Sequence, residues 1–205
     1  MSKPVNGHEE MIKLCRTALA SGRVLAYPTE TIWGLGADIK FRAAVESIYD
    51  IKGRDAAKAM SLLVADIGMA RECAVFDASI ERLMHAFWPG PVTFVLPARE
   101  LVPEAVHGGT GFVGLRLSNH PFVFELMKAY PSPITTTSAN RSGEKPAQSM
   151  DELDWLPPSV AKANWPGKTD STKGSTVVKI AGGKIEVLRE GAMPSRLIER
   201  AFQQT

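Results

Sequence analysis

Two basic residues, Lys52 and Arg54, stand two positions apart with Gly53 between them, and Lys58 follows shortly after. In an extended segment, side chains at positions i and i+2 project to the same side, so both cations could meet one anion. The lysine ammonium is a point charge and the arginine guanidinium is a planar fork, a combination that suits a polyphosphate. A solvated basic helix end, stabilised by the helix dipole, explains this segment equally well.

Hydroxyl, carboxylate and amide side chains cluster in two further segments, each directly after a predicted strand. Residues 27–36 combine three hydroxyl or carboxylate groups with aromatic residues and two glycines, and the second segment offers Ser138 and Asn140. Because α/β sheets commonly place ligands at strand ends, both segments could bind a small molecule. Turns closed by their own side-chain hydrogen bonds are the alternative for both. No Ser-His-Asp arrangement accompanies Ser138, which argues against a nucleophilic serine.

Two glycine-containing motifs resemble nucleotide-binding sequences but stand in the wrong context. Residues 109–114 match the dinucleotide fingerprint G-x-G-x-x-G, yet they lead into the strand-like residues 115–117 instead of opening a helix. Residues 167–169 (G-K-T) resemble the end of a P-loop, but the first glycine of that motif would fall at Lys162. Neither motif predicts a nucleotide site. The four histidines are scattered singly, so no metal site is predicted.

Length and composition are those of an ordinary folded protein. The 205 residues support one domain or at most two small ones, and 44% hydrophobic with 22% charged residues is typical of globular chains. No apolar run approaches the length of a membrane-spanning helix, and the polar N-terminus lacks a signal-peptide core. Cys15 and Cys73 are far apart with apolar neighbours, so we expect buried free thiols. We therefore expect a cytoplasmic protein that does not contact a membrane.

Hydrophobic periodicity predicts interleaved helices and strands, with Asn6, Asp77 and Pro121 at helix starts. The predicted helices lie between Asn6 and Gly22, over 44–51, over 78–87, over 121–130 and after Pro194. The predicted strands are 24–27, 62–64, 92–96, 112–117, 134–137, 176–180 and 184–188. Strict βαβ periodicity is missing. We therefore predict a single-domain α/β (α+β) fold, in which helices flank a twisted mixed β-sheet rather than a doubly wound parallel one.

Seven short motifs occur in one order across residues 9 to about 193. They are Y-P-T-E-T-I-W-G-L-G (27–36), K-G-R (52–54), F-W-P-G-P-V-T (87–93), G-L-R-L (114–117), T-S-A-N-x-S-G (137–143), S-T-V-V (175–178) and L-R-E-G (188–191). In these motifs the chain resembles single-domain members of the YrdC/TsaC family, the threonylcarbamoyl-AMP synthases. The resemblance implies a YrdC-like domain over 8–195 with a concave, positively charged cleft, followed by a helical tail over 196–205.

The resemblance also implies a reaction and its participants. L-threonine, bicarbonate and ATP would give threonylcarbamoyl-adenylate and pyrophosphate, and partner proteins would then transfer the threonylcarbamoyl group to tRNA. Mg²⁺ would accompany ATP and be held mainly by the nucleotide, because the sequence shows no carboxylate cage for it. Much of the catalysis would consist of positioning the reactants, since a carbamate is short-lived in water.

The resemblance further assigns roles to individual residues. The expected catalytic residues are Lys52, Arg54, Ser138 and Asn140. The expected ATP-binding residues are Arg54, Lys58, Ser138, Ala147 and Arg189. The expected L-threonine-binding residues are Thr31, Arg116, Thr136 and Ser175, with Arg116 pairing with the substrate carboxylate.

This sequence departs from the family pattern at four positions. Asp55 and Ala59 stand where the family usually has proline, Ala147 replaces a serine, and Lys179 replaces an acidic residue. Asp55 places a carboxylate beside two cations that should face phosphate, and fewer prolines leave the loop less constrained. Without the serine at 147, one nucleotide contact would be missing. These changes bear on affinity and loop order more than on the class of reaction.

Two alternative functions remain open at this stage. The first is the carbamoyl-transfer module of hydrogenase maturation, which belongs to a much longer chain with zinc-finger and acylphosphatase segments. The second is a non-catalytic module that binds double-stranded RNA or tRNA weakly. A net charge of only +2, from 24 basic and 22 acidic residues, argues against tight RNA binding, although a local basic patch would escape that count. Steep loss of affinity with salt would distinguish an RNA-binding module from a small-molecule enzyme.

Overall fold

The structure, a computed structural model, describes residues 7–55, 58–169 and 171–204. Its helices are α1 (Gly7–Ala20), α2 (Arg42–Lys52), α3 (Ile67–Cys73), α4 (Ala78–Phe87), α5 (Glu104–His107), α6 (Pro121–Ala129), a 3₁₀ helix (Met150–Leu153) and α7 (Ser195–Phe202). Its strands are β1 (Leu25–Tyr27), β2 (Gly34–Gly36), β3 (Ser61–Leu63), β4 (Val92–Pro97), β5 (Phe112–Arg116), β6 (Ile134–Ser138), β7 (Ala161–Lys162), β8 (Thr176–Ala181) and β9 (Lys184–Arg189).

The strands form one mixed sheet in the order β7-β1-β2-β6-β3-β5-β4-β8-β9. The parallel pairs are β1 with β7, β3 with β5, and β4 with β8. The neighbours β1–β2, β2–β6, β3–β6, β4–β5 and β8–β9 are antiparallel. Sequentially distant strands such as β2 and β6 therefore become neighbours, which brings their loop ends together.

The two faces of the sheet carry different layers, because successive side chains of a strand point to opposite faces. One face carries the larger core, in which Leu62, Phe94, Leu115 and Val178 pack with residues of α2 and α4. On the opposite face, α1 and α6 cover Leu63 and Ile134, and form a smaller core. The rest of this second face is left for the cleft described below.

The predicted mixed, twisted sheet with flanking helices is confirmed, and the seven predicted strands and five predicted helices are all present within a few residues. The strands β2 and β7, the helices α3 and α5, and the 3₁₀ helix were not predicted. The helix start expected at Asn6 lies outside the described residues. Asp77 does cap its helix, since its carboxylate accepts hydrogen bonds from the amides of Ser79 and Ile80.

The two glycine-containing motifs, the cysteines and the C-terminal helix each had an expected place in the fold. The G-x-G-x-x-G motif at 109–114 leads into β5, as predicted. Residues 163–169, which include the G-K-T motif, contain no helix or strand. Cys15 and Cys73 are buried free thiols, and burial raises the pKa of each to about 11. Within the described ranges, no helix has the length and apolar character needed to cross a membrane. The expected boundaries of a domain at 8–195 and a tail at 196–205 stay a prediction. Helix α7 begins at Ser195 and buries Ile198 against the larger core.

Candidate active-site cleft

A cleft of about 520 Å³ lies on the face of the sheet that α1 and α6 leave uncovered. Alternate residues of the central strands form its floor, and loops at the strand ends form its walls. The floor residues are Ser61, Thr93, Val95, Gly114, Arg116, Thr136, Val177 and Lys179. The wall residues include Thr29, Ile32, Trp33, Arg54, Ala59, Ser138, Ser175, Glu186, Leu188 and Arg189. Residues from most of the chain therefore meet in one place, which is what a binding site for several reactants requires.

Arg116, at the end of β5, is held by the loop that follows β1. One terminal nitrogen of its guanidinium donates a hydrogen bond to Thr31 Oγ1 at 2.9 Å and lies 2.9 Å from Glu30 Oε1. Thr29 Oγ1 accepts hydrogen bonds from the backbone amides of Thr31 and Ile32, which closes the turn that presents Thr31. The turn expected as an alternative is therefore present, and it is what places Thr31 beside Arg116.

The neighbouring hydroxyl groups are fixed by hydrogen bonds to buried partners. The Tyr27 hydroxyl donates to Thr136 Oγ1 at 2.8 Å, and burial raises the pKa of Tyr27 so that it stays protonated. Ser175 Oγ lies 2.7 Å from Thr93 Oγ1. Of the four residues predicted to bind threonine, Arg116, Thr136 and Ser175 line the cleft, whereas Thr31 is buried and contacts Arg116.

Two further arginines, Arg54 and Arg189, reach the cleft from other elements. Arg54 donates hydrogen bonds to Thr137 Oγ1 at 3.2 Å and to the Ala59 carbonyl at 3.0 Å. Arg189 donates to the Ser175 carbonyl at 2.8 Å. Burial lowers the pKa of both arginines, and repulsion from Arg116 and Arg54 lowers that of Arg189 further. The three guanidinium groups therefore lie close enough to repel one another, and a bound anion would relieve that repulsion.

Three buried N–H groups in residues that line the cleft have no hydrogen-bond acceptor within the described part of the chain. They are Arg54 Nε, Arg116 Nε and Trp33 Nε1. Buried donors in folded proteins nearly always have a partner. A ligand rich in oxygen atoms would supply acceptors for the two arginine N–H groups, whereas Trp33 packs in the larger core.

Lys52 and Arg54 do not lie in an extended segment from which both side chains could face one anion. Lys52 is the last residue of α2, and Gly53 caps the helix with a left-handed backbone (φ 59°). The Lys52 side chain is only 3% exposed. Its ammonium donates hydrogen bonds to the carbonyls of Ser138 and Asn140 and to Asn140 Oδ1, whereas Arg54 lines the cleft. The two cations diverge because the helix continues through Lys52.

The loop after β6 provides the residues that accept the hydrogen bonds of Lys52, and these residues also bond to one another. Ser138 Oγ donates a hydrogen bond to Asn140 Oδ1 at 2.5 Å, and the Asn140 amide donates to the carbonyls of Arg141 and Glu144 at 2.8 Å. The structure therefore brings Lys52, Ser138 and Asn140 together. Of these three, Ser138 lines the cleft, and Lys52 and Asn140 stand behind it.

Two residues predicted to bind ATP do not line the cleft. Lys58 is exposed on the loop between α2 and β3. Ala147 is buried, and its backbone bonds to Ala139 and Trp33. Of the other departures from the family pattern, Ala59 and Lys179 both line the cleft, and the Lys179 ammonium lies 4.0 Å from the centre of the Phe112 ring. Sequence reasoning missed the contributions of Thr29, Glu30 and Thr93, although all three lie inside motifs that it had singled out.

Within the described residues, no group of three or more His, Cys, Asp and Glu side chains could hold a metal ion. The cleft offers mostly guanidinium and hydroxyl groups, with Glu186 as a carboxylate in its lining. This donor set fits a metal ion that arrives bound to phosphate oxygens better than one caged by the protein.

Comparison with known proteins places this architecture in one group. The family model for Sua5, YciO and YrdC proteins, described as "Telomere recombination", matches residues 17–191. The chain belongs to the Sua5/YciO/YrdC family. A threonylcarbamoyl-AMP synthase of Stenotrophomonas maltophilia (strain K279a) is 42% identical over 140 residues, which cover 66% of this chain and 75% of the relative. A protein of the same name from Xylella fastidiosa (strain M12) is 40% identical over 141 residues, covering 67% and 75%.

Solved structures of the Sua5/YciO/YrdC family share the fold. P. abyssi Sua5 complexed with L-threonine matches with a TM-score of 0.87 and 29% identity, over 97% of this chain and 58% of the Sua5 chain. This chain thus spans little more than half the length of that Sua5. E. coli YciO matches with a TM-score of 0.79 and 24% identity, over 93% of this chain and 92% of YciO. The family suggested by the sequence motifs is thereby confirmed.

Proposed function

We propose that this protein is an L-threonylcarbamoyladenylate synthase, which combines L-threonine, bicarbonate and ATP and releases pyrophosphate. The proposal rests on one cleft in which Arg116, surrounded by hydroxyl groups, lies near Arg54 and Arg189. An amino-acid carboxylate and a polyphosphate both need guanidinium partners, and this cleft offers them side by side. The names of the curated relatives and the L-threonine bound by P. abyssi Sua5 support the same assignment.

Each group in the cleft has a role in this scheme. Arg116 binds the carboxylate of L-threonine, the hydroxyls of Thr136 and Ser175 orient it, and Thr31 holds Arg116 in place. The threonine amine attacks the carbon supplied by bicarbonate with loss of water, which gives a carbamate. A carbamate oxygen then attacks the α-phosphorus of ATP, and the bond to the β-phosphate breaks so that pyrophosphate leaves. Holding the reactants together in a partly enclosed cleft favours both steps.

The phosphate end of the cleft would be formed by Arg54, Arg189 and Ser138. Their N–H and O–H groups stabilise the negative charge that develops as pyrophosphate leaves, which is usually the largest contribution to phosphoryl transfer. Lys52 and Asn140 position the loop that presents Ser138. Mg²⁺, held by the phosphate oxygens of ATP, would neutralise further charge. In the cytoplasm, transfer proteins would then pass the threonylcarbamoyl group to tRNA.

Pyrophosphate release tests the proposal. The protein is incubated with ATP, Mg²⁺ and bicarbonate, together with each amino acid in turn, and pyrophosphate is measured. We expect release only with L-threonine, and release independent of threonine would overturn the assignment.

Arg54→Ala should lower threonine-dependent pyrophosphate release at least about 100-fold, because it removes a guanidinium from the developing charge. Lys168→Ala is the matched control, since it removes a positive charge from the G-K-T segment outside the cleft. Lys168→Ala should retain wild-type release. Equal loss in the two variants would contradict the placement of the phosphate end.

A further inference from the structure

The three arginines of the cleft differ in their surroundings. Within the described residues, the hydrogen-bond acceptors of Arg54 and Arg189 are neutral, namely the Thr137 and Ser175 hydroxyls and the carbonyls of Ala59 and Ser175. Arg116 instead has a carboxylate at 2.9 Å, that of Glu30. Both side chains of this ion pair are almost fully buried, with 6% and 12% of their surface exposed. Within the described residues, a contacting carboxylate therefore compensates the charge of Arg116, whereas Arg54 and Arg189 contact neutral acceptors.

The Glu30 carboxylate is fixed on both sides. Its Oε1 faces Arg116, and its Oε2 accepts a hydrogen bond from the Ser118 hydroxyl. The Ser118 hydroxyl oxygen accepts in turn from the backbone amide of His120 at the start of α6. Glu30 does not line the cleft and lies behind Arg116. Any effect of Glu30 on a molecule in the cleft would therefore come from its negative charge and not from direct contact.

We propose that Glu30 determines which anions the amino-acid end of the cleft accepts. By neutralising Arg116, it leaves a region that takes the carboxylate of a zwitterion with no net charge and that rejects polyanions such as pyrophosphate or a triphosphate. The polyanions are left to Arg54 and Arg189. This inference rests on the proposed function, because it concerns how two substrates avoid exchanging places.

The physical argument is one of repulsion in a buried place. A buried carboxylate interacts strongly with any anion that approaches its arginine, because the surroundings screen charges less than water does. A zwitterion brings one negative charge together with a positive one, whereas pyrophosphate brings several negative charges. The repulsion from Glu30 therefore grows more for pyrophosphate than for threonine. A specific site commonly contains such a repulsive group against the wrong ligand.

Glu30→Gln removes the charge and keeps the shape. The amide oxygen can lie beside Arg116 as the carboxylate oxygen does, and the amide nitrogen can donate to Ser118 Oγ. The experiment measures L-threonine binding by calorimetry, with and without saturating inorganic pyrophosphate. We expect pyrophosphate to change the dissociation constant of L-threonine less than about twofold in the wild type. In Glu30→Gln we expect it to raise that constant at least about tenfold, because the freed Arg116 then binds pyrophosphate.

Two control variants separate the charge from its position. Glu186→Gln removes the same charge from a lining residue on the edge strand β9, where Glu186 lies opposite Lys179 of β8. It should give no competition between pyrophosphate and threonine. Glu30→Asp retains the charge and should also give none. Competition in either control, or its absence in Glu30→Gln, would overturn the inference.

The remaining outcomes are also decisive. If the wild type binds no L-threonine, the proposed function fails and the role of Glu30 fails with it. If the wild type binds L-threonine but pyrophosphate displaces it, only the role of Glu30 fails. Thermal unfolding checks that Glu30→Gln is folded, and Glu30→Ala, which leaves space for water beside Arg116, is the second variant. Should both variants unfold, the wild-type competition decides, and displacement there overturns the inference whereas its absence supports it.

Discussion

Burial of the Lys52 ammonium gives the candidate site a group that titrates near neutral pH. Burial is the main cause, and repulsion from Arg54 a smaller one, that lowers the pKa of Lys52 to about 8. The protonated form has three hydrogen atoms for three acceptors on Ser138 and Asn140. Loss of a proton removes one donor and the charge that holds the loop. Lys52 therefore links pH to the position of Ser138.

We expect kcat/KM for pyrophosphate release to fall above about pH 8, as Lys52 loses its proton. The measurement is a pH profile between pH 6.5 and 9.5, with Lys168→Ala as a control that should show the same alkaline decline. A profile that stays level to pH 9.5 would contradict this role for Lys52.

Lys52 should also make the stability of the protein depend on pH. Its pKa in the folded state, about 8, lies below its ordinary value of 10.5, so between these values the unfolded chain binds more protons than the folded one. Burial of the charged lysine therefore costs stability below pH 8, and the free energy of unfolding should rise from pH 8 to 10.5 by up to about 3 kcal/mol. Cys15 and Cys73 act in the opposite direction, because burial raises the pKa of each to about 11.

The comparison that isolates Lys52 is the difference in unfolding free energy between the wild type and Lys52→Met. The two thiols contribute equally to both proteins and cancel. As measured by urea unfolding, we expect the stability of Lys52→Met relative to the wild type to fall by up to about 3 kcal/mol between pH 8 and 10.5, because only the wild type gains stability as Lys52 loses its proton. A difference that does not change with pH would show that the buried ammonium is not destabilising.

At the scale of elements, the short strand β2 depends on glycine. A Cβ atom at Gly36 would lie 2.2 Å from the backbone oxygen of Thr135 on β6, far inside van der Waals contact. The neighbouring strand cannot yield without breaking its hydrogen bonds, because Thr135 lies in the middle of β6 and also accepts from Ala37 N through its Oγ1. Gly36 is thus required by the close approach of two strands.

We therefore expect Gly36→Ala to lower the unfolding free energy by about 3 kcal/mol or more, through overpacking against a backbone atom. Gly7→Ala is the control, since a Cβ at Gly7 meets nothing within 4 Å in helix α1. That change should be neutral or stabilising by up to about 1 kcal/mol. Denaturant unfolding compares the two variants, and equal effects would contradict the close approach.

The elements also show what sequence patterns can and cannot predict. The hairpin of β8 and β9 was predicted because alternating residues flank the Gly182-Gly183 turn. Strand β2 (G-L-G) was missed, since two glycines and one leucine give no periodic signal, and only its neighbours β1 and β6 make it a strand. For Lys52 and Arg54 the sequence left an extended segment and a helix end open, and the backbone at Gly53, which ends α2, decides for the helix end.

At the scale of the whole molecule, the cleft is assembled by topology. Arg54 follows α2, Arg116 ends β5 and Arg189 ends β9, and the strand order brings all three to one face of the sheet. The family resemblance carried by the motifs implied which residues would meet. Their distances, and the pairing of Arg116 with Glu30, depend on strand register, which single motifs do not encode.

The concentration of arginines in one cleft predicts how a polyanion changes the stability of the whole protein. A ligand that binds only the folded state at 100 times its dissociation constant adds about 2.7 kcal/mol to the unfolding free energy, or roughly 5–10 °C in a chain of this length. We expect pyrophosphate to raise the thermal midpoint by about this amount, and by less at high salt, since salt screens the attraction.

Arg189→Gln should remove most of the increase, because it takes one of the three guanidinium groups from the cleft. Arg16→Gln changes the net charge equally, but Arg16 is exposed on α1, outside the residues that line the cleft, so this variant should keep the full increase. Thermal unfolding with and without pyrophosphate, at low and high salt, gives the comparison. If both variants lost the increase to the same extent, pyrophosphate would be responding to net charge, and the cleft would not be its binding site.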